Sequence, residues 1–295
     1  MKCFFHSSDM DGNCSGAIIK MYYSECEMIG INYGDEFPWK DIDPSEYIFM
    51  VDFSLQPFND MLKLYKICGN NLIWIDHHKS AIEDCKKFNH RLIKGIREDG
   101  IGACELVWKY LHNTMTPTFI KLLAEYDVWN HSDPRTLPFQ YGIRQIKDTS
   151  PNNIDFWNSL FDTELIMRIV ENGGIIFDYQ NSENEKYASA CAFETVVNGM
   201  NCIVINKMIT NSKLFDSVWN PDKYYMMITF GFRKGQWTMS LYSTRDDVDC
   251  SVIAKDLAKK YGNGGGGGHK GASGCQVDSI DFLIKGGEYE NKNIM

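Results

Sequence analysis

Two stretches of the chain, YIFMV at 47–51 and LIWI at 72–75, are apolar almost without interruption. A strand with one wet face alternates apolar and polar residues. An unbroken apolar run of this length suits a strand covered on both faces, as in a parallel sheet between two helical layers. KCFFH at 2–6 is a shorter run of the same kind. Helical spacing lies between the runs. Residues 14–24 place Ile18, Ile19 and Tyr22 on one side, and PFNDMLKLYKIC does the same with Phe58, Met61, Leu62 and Tyr65. Further helical patterns fall around 102–112 and 117–126. The first half therefore reads as α/β, with a parallel sheet and helices on both faces.

Each apolar run ends in a charged or histidine-bearing turn: HSSDMDG, VDFS and IDHHKS. In open α/β sheets, ligands collect at the carboxyl ends of the strands. Three such turns at one sheet edge would gather His6, Asp9, Asp11, Asp52, Asp76, His77 and His78 from distant positions. Asp127, in LLAEYDVWN, closes a helical pattern. Carboxylate oxygens suit hard divalent ions, and imidazole suits manganese, iron and zinc. Taken singly, these residues are also ordinary turn formers and helix caps. Gly12 allows a sharp turn after the acidic pair.

The second half changes character. Residues 163–190 read as a polar helical connector interrupted by Gly173 and Gly174. Strands are expected at 202–206, 225–232 and 236–242, the last two joined by a turn at Lys234-Gly235. A helix follows over 249–261, with Asp249 or Ser251 as its N-cap. This is the pattern of a smaller mixed α/β domain. The glycine run GNGGGGGHKGASG, 262–274, reads as an anion-binding loop, because glycine lets backbone N–H groups approach a phosphate. A flexible linker is the alternative. Over 134–160, Arg144 and Lys147 read as solvated surface charges.

Composition limits the partners. Formal net charge is −9, which argues against coating long nucleic acid by bulk positive charge. Bound cations could still serve a short phosphate-bearing substrate. The ten cysteines include no C-x-x-C pair, as expected of reduced thiols in a cytoplasmic protein. No apolar run approaches the ~20 residues that span a bilayer.

In order, HSSDMDG, VDFS, IDHHKS and EYDVWN resemble the four metal-site motifs of the DHH phosphoesterases, and GGGGHKGASG resembles the glycine-rich signature of the DHHA1 domain. The resemblance covers nearly the whole chain. The short spacing from His6 to Asp9 looks most like the small oligoribonuclease ("nanoRNase") group, whereas the commonest family form has one more residue there. The glycine run is longer than usual. The resemblance implies a DHH catalytic domain over 1–165, a helical connector over 166–190 and a DHHA1 substrate-binding domain over 191–295. It implies two divalent ions, manganese first, with magnesium or cobalt as alternatives. His6 and Asp9 would hold one ion, Asp11, His77 and Asp127 the other, and Asp52 would bridge them. His78 would sit at the substrate phosphate and share the catalytic role with Asp52, while Asp76 would orient the histidines. Gly267, Gly268, His269, Lys270 and Arg245 would contact the far end of the substrate.

The expected activity is hydrolysis of phosphodiester bonds in short oligoribonucleotides or linear dinucleotides by two-metal water activation. Competing readings are a nucleoside 3′,5′-bisphosphate phosphatase, an exopolyphosphatase and a non-enzymatic nucleotide sensor. The expected partners are short RNA or nucleotides, not membranes or long duplex DNA. A homodimer is left open.

Overall fold

A computed structural model describes residues 1–87, 93–262 and 265–285. Asn263 and Gly264 of the glycine run, and the last ten residues of the expected second domain, lie outside the described residues. The chain divides into two compact units, Met1–Phe177 and Asp178–Met295.

In the first unit, β1 (Lys2–His6), α1 (Met10–Tyr22), β2 (Glu27–Ile31), β3 (Ile48–Val51), α2 (Asn59–Cys68), β4 (Leu72–Ile75) and α3 (Lys79–Lys87) follow in sequence. Then come α4 (Ala103–Leu111), α5 (Thr118–Asp127), α6 (Thr136–Ile143) and α7 (Ile154–Ser159). The four strands form a parallel sheet in the order β2-β1-β3-β4.

Side chains alternate across a strand, so each apolar run feeds two cores. Phe5, Phe49, Val51 and Ile75 pack with α1, α4 and α5 on one face. Phe4, Ile48, Met50 and Trp74 pack with α2 and α3 on the other. Burying each such side chain contributes about 1.5–3 kcal/mol. The expectation of helices on both faces of a parallel sheet holds. The β2 strand escaped the sequence reading because it is an edge strand, paired only with β1, and EMIGI is buried only at Ile31.

The helix α8 (Thr163–Cys191) runs through the boundary between the units. The expected interruption at Gly173 and Gly174 is absent. Gly173 is there for packing: a Cβ would lie 1.8 Å from the carbonyl oxygen of Pro138 in α6. Gly174 faces open space.

In the second unit, β5 (Phe193–Val197), β6 (Met200–Asn206), β7 (Met226–Arg233), β8 (Gln236–Tyr242), α9 (Cys250–Tyr261), β9 (Gly266–Gly268), β10 (Ala272–Val277) and α10 (Asp281–Lys285) follow α8. The mixed six-stranded sheet has the order β5-β6-β7-β8-β10-β9, and only the β6–β7 pair is parallel. One face packs on Ala254, Leu257 and Leu283 of α9 and α10, and the other on Ala188, Leu214 and Phe215. Lys234 and Gly235 both have positive φ, as the expected tight hairpin turn requires. Asp249, not Ser251, caps α9.

Nine of the ten cysteines are buried and all are free. Among the described residues, no helix is long and apolar enough to cross a membrane.

Adjacent glycines of α8 should respond oppositely to alanine. Gly174→Ala is expected to stabilise by about 0.5–1 kcal/mol through helix propensity. Gly173→Ala is expected to destabilise by about 1–3 kcal/mol through overpacking against α6. Urea unfolding of both variants checks this, and shifts of the same sign would refute the packing role.

Candidate metal centre

The strand register builds the site. Phe5 pairs with Val51, and Val51 pairs with Ile75. The next residues, His6, Asp52 and Asp76, therefore lie side by side at the carboxyl edge. With β2 on one side of β1 and β3 on the other, the order in which strands are added reverses between β1 and β3. Crevices form at such points in open sheets.

Each candidate ligand is held by local structure. Asp9 caps α1, accepting from Gly12 N at 2.9 Å. Gly12 lies inside α1, where the sequence suggested a turn. A Cβ there would sit 1.9 Å from the His6 carbonyl oxygen, so glycine lets the helix start press against the end of β1. Asp11, one position into the helix, accepts from Ala103 N and Cys104 N at 2.6 and 2.9 Å, at the start of α4. Asp52 has φ +53, a left-handed conformation that aspartate adopts more readily than most residues and that recurs at functional sites. Its backbone N–H still donates to Ile75 O at 2.9 Å. Asp76 is fully buried and accepts from His77 N, His78 N and the Trp74 indole. His78 Nδ1 lies 2.7 Å from Asp76 Oδ1.

Two donor sets meet at Asp52. His6 Nδ1 lies 2.9 Å from Asp9 Oδ2 and 3.6 Å from Asp52 Oδ2. His77 Nε2 lies 3.2 Å from Asp52 Oδ1, 3.1 Å from Asp127 Oδ2 and 3.7 Å from Asp11 Oδ2. Within His6–Asp9–Asp52, and again within Asp11–His77–Asp127, one ligand atom per residue lies within 4.8 Å of the others. Asp52 Oδ1 and His6 Nδ1 are buried without a well-aligned hydrogen bond. Converging lone pairs of this kind fit a divalent cation that prefers mixed oxygen and imidazole donors.

The electrostatics point the same way. Burial disfavours the charged form at every one of these groups. It is the main influence on Asp11, pushed up to about 6 with help from Asp52. It also raises Asp127 well above the carboxylate range, against the pull of His77. At the histidines burial is overruled. Asp52 and Asp9 push His6 up to about 10, and Asp52 with Asp127 holds His77 well above the imidazole range. Without cations, protons take their place.

The centre borders a cavity of about 330 Å³, lined by Asp9, Asp11, Asp127, Tyr126, Gln140 and Arg144 among others. Arg144 is exposed, as the sequence suggested, and also lines this cavity. The only hint in the sequence is that Gln140 and Arg144 stand four apart, on one helical face. Tyr33 was also missed. Its ring meets the rings of His6 and His78 edge-on, at centroid distances of 5.7 and 6.1 Å.

The second-unit candidates are placed differently from the expected open loop. Gly266, Gly267 and Gly268 form β9 and pair with Cys275, Gly274 and Ser273 of β10. Glycine is needed there because a Cβ on Gly266 would meet the Ala254 carbonyl of α9 at 2.8 Å, and Gly268 has φ +139. Lys270 and Gly271 form the tip between His269 and Ala272, and Lys270 O accepts from Cys250 N at the start of α9. Arg245 is engaged by Asp247 through Nε and Nη2 at 2.8 and 2.7 Å, and its guanidinium lies 4.4 Å from the Tyr225 ring centre.

No family model matches the chain. An uncharacterized protein of Acanthamoeba polyphaga mimivirus is 26% identical over 79% of the chain, which spans 53% of that relative's length. The oligoribonuclease NrnB of Bacillus subtilis is 24% identical over 92% of the chain and 72% of its own length. Among solved structures, the DHH domain of a member of a ribosomal-protein family superposes with a TM-score of 0.53 at 14% identity, over 94% of this chain and 82% of that one. The chain has the DHH fold. The pGpG-specific phosphodiesterase PggH of Vibrio cholerae gives a TM-score of 0.52 at 15% identity, over 95% and 94% of the two chains. The DHH likeness read from the five motifs is therefore met independently in the fold.

A divalent ion takes histidine only as neutral imidazole, so loading the site must expel the proton that His6 keeps up to about pH 10. Manganese affinity is expected to rise about tenfold per pH unit for each proton released, from about pH 6 to about pH 8. Calorimetry in two buffers of different ionisation enthalpy counts those protons. A flat affinity with no proton release would remove His6 from the ligand set.

Proposed function

We propose that the chain is a metal-dependent phosphodiesterase acting on short oligoribonucleotides or linear dinucleotides, with two divalent ions, manganese first among the candidates. The observation that carries this reading is the position of Asp52 between the His6–Asp9 pair and the Asp11–His77–Asp127 set. In this reading His6 and Asp9 would hold one ion, Asp11, His77 and Asp127 would hold the other, and Asp52 would serve both. When bound, such ions supply a lowered water pKa and positive charge for the phosphoryl oxygens.

The chain's own residues do the positioning. Asp76 fixes the His78 ring through Nδ1 and the two histidine backbones through their N–H groups. His78 then donates to an oxygen of the substrate phosphate. Water is the nucleophile. Cys104, the thiol beside Asp11, is kept protonated by burial and by its neighbours Cys14 and Asp11, so it is a poor competitor. In the second unit, His269 and Lys270, beside Gly267 and Gly268, are the proposed substrate contacts. The ion pair of Arg245 with Asp247 makes it the weaker contributor. The names of two relatives, an oligoribonuclease and a pGpG-specific phosphodiesterase, support a short nucleotide substrate.

Asp52→Ala is expected to lower kcat by about a thousandfold, near 4 kcal/mol, because both ions lose a ligand. Its turnover is compared with the wild type on RNAs of about two to five nucleotides with manganese, long single-stranded DNA serving as the contrast and a chelator as the control. Normal turnover by the variant would refute the bridging role. Consumption of only a nucleoside bisphosphate or polyphosphate would keep the metal site and change the substrate.

A further inference from the structure

The strand β2 ends at Ile31, and the loop that follows is tied to the first ligand turn. Ser7 N–H donates to Ile31 O, the Asn32 side-chain amide donates to Ser7 Oγ at 2.9 Å, and Ser8 Oγ donates to Asn32 Oδ1. Asp35 closes the loop on itself. Its Oδ2 accepts from Asn32 N at 2.8 Å, and its N–H donates to Asn32 O at 3.0 Å. Tyr33 stands inside this closed turn, so its backbone is fixed independently of its side chain.

The side chain reaches across the carboxyl end of β1 toward the end of β3. Its ring packs on Phe53, with centroids 4.7 Å apart and planes 36° apart, and its hydroxyl meets Ser54, which is fully buried. Phe53 and Ser54 are the two residues after Asp52. On the way the ring meets His6 and His78 edge-on. Burial, with the carboxylates of Asp76 and Asp52, keeps the phenol protonated, so Tyr33 does not compete as an anionic ligand.

His6 needs such a neighbour. A histidine that binds metal through one ring nitrogen is usually oriented by a hydrogen bond at the other. At His78, Asp76 holds Nδ1 in this way. His6 has Nδ1 turned to Asp9 and Asp52, and among the described residues no protein hydrogen bond holds its Nε2. Its ring rests instead against Tyr33 and Phe53, at centroid distances of 5.7 and 6.2 Å. Tyr33 is 46% exposed and belongs to neither apolar core of the first unit, so its contacts bear on the site more than on folding.

We infer that Tyr33 is the positioning residue of the candidate ligand His6: its ring, anchored on Phe53 and at Ser54, does the work of a hydrogen bond at Nε2 and holds the imidazole with Nδ1 toward Asp9 and Asp52. The inference rests on the metal-dependent reading for the use of His6 as a ligand. It adds that the ion shared by His6 and Asp9 depends on a residue of the β2 loop. Asp11 and Asp127 are placed by α1, α4 and α5 instead, so the second ion is indifferent to that loop.

Manganese calorimetry on the full chain tests this with wild type, Tyr33→Ala and Tyr33→Phe. Tyr33→Ala is expected to weaken one ion by about tenfold to a hundredfold, the usual cost of losing a residue that orients a ligand, and to leave the other within about twofold. Tyr33→Phe keeps the ring and should hold both ions within about threefold of wild type. The metal-free unfolding midpoint of Tyr33→Ala should stay near that of wild type, because the ring is half exposed. Unchanged affinity in Tyr33→Ala would overturn the assignment. So would an equal loss at both ions with a lowered midpoint, which is a purely structural effect, or a Tyr33→Phe variant as weak as Tyr33→Ala, which would move the role from the ring to the hydroxyl. A wild type that takes up a single ion removes the two-ion reading, and the role of Tyr33 then stands or falls on whether Tyr33→Ala weakens that ion. Cleavage of short RNA is measured alongside. A wild type with one Tyr33-sensitive ion that cuts no RNA sinks the phosphodiesterase reading alone, and one that cuts RNA with both ions indifferent to Tyr33→Ala sinks the positioning role alone.

Discussion

Mutual repulsion among buried carboxylates is the constraint on which the first unit turns. Asp11, Asp52 and Asp76 are all at most 2% exposed at one sheet edge, with Asp127 close enough to share His77. Charges so placed are costly unless each finds a cation or a proton. Asp76 escapes by spending its oxygens on two backbone N–H groups, an indole and the His78 ring. Asp11 has the start of α4, whose unpaired N–H groups and partial positive charge suit an anion. Asp52 has only His6, His77 and, further off, His78 at 3.9 Å. It is the most central of the carboxylates, within reach of all three histidines, so a cation placed on either side of it would meet it.

That arrangement follows from backbone geometry before any side chain is chosen. The register that sets Phe5 against Val51 and Val51 against Ile75 decides that the next residues are neighbours. A slip of one residue in β3 would turn Asp52 to the other face and point its apolar side chains to the wrong cores. The apolar runs and the ligands are thus one constraint: the cores on the two faces hold the register, and the register holds the ligands. Gly12 adds to it at the β1–α1 junction, where no Cβ is tolerated against the His6 carbonyl.

These features explain which parts were legible in the sequence. The central strands were, because burial on both faces leaves an unbroken apolar run, and the clustering of candidate ligands was, because His6, Asp52 and Asp76 end or directly follow those runs. The α9 start at Asp249 was legible through capping chemistry. The edge strand β2 was not, since EMIGI mixes exposed and buried positions. Nor was β9, because three glycines carry no side-chain alternation and only their pairing with β10 defines them as a strand. Gly173 looked like a helix breaker because its reason, the Pro138 carbonyl at 1.8 Å from a would-be Cβ, is a tertiary contact. Arg144 is exposed, as read, but its place at the cavity was not legible, because Tyr126, which it meets there, lies 18 residues away along the chain.

A metal centre of this kind is chemically general. Two cations and a water serve a phosphodiester, a phosphomonoester or a phosphoanhydride alike, because all present the same phosphoryl oxygens. Discrimination among them must come from groups that meet the rest of the substrate. On the metal side the cavity offers carboxylates, which repel any further anion not shielded by the cations. On the far side it offers one guanidinium beside an aromatic ring. A wall selecting for successive phosphates would need several cations, as phosphate sites generally do. Arg144 is the single cationic side chain among the residues lining this cavity. One positive charge against an aromatic surface gives this wall little with which to hold a run of phosphates.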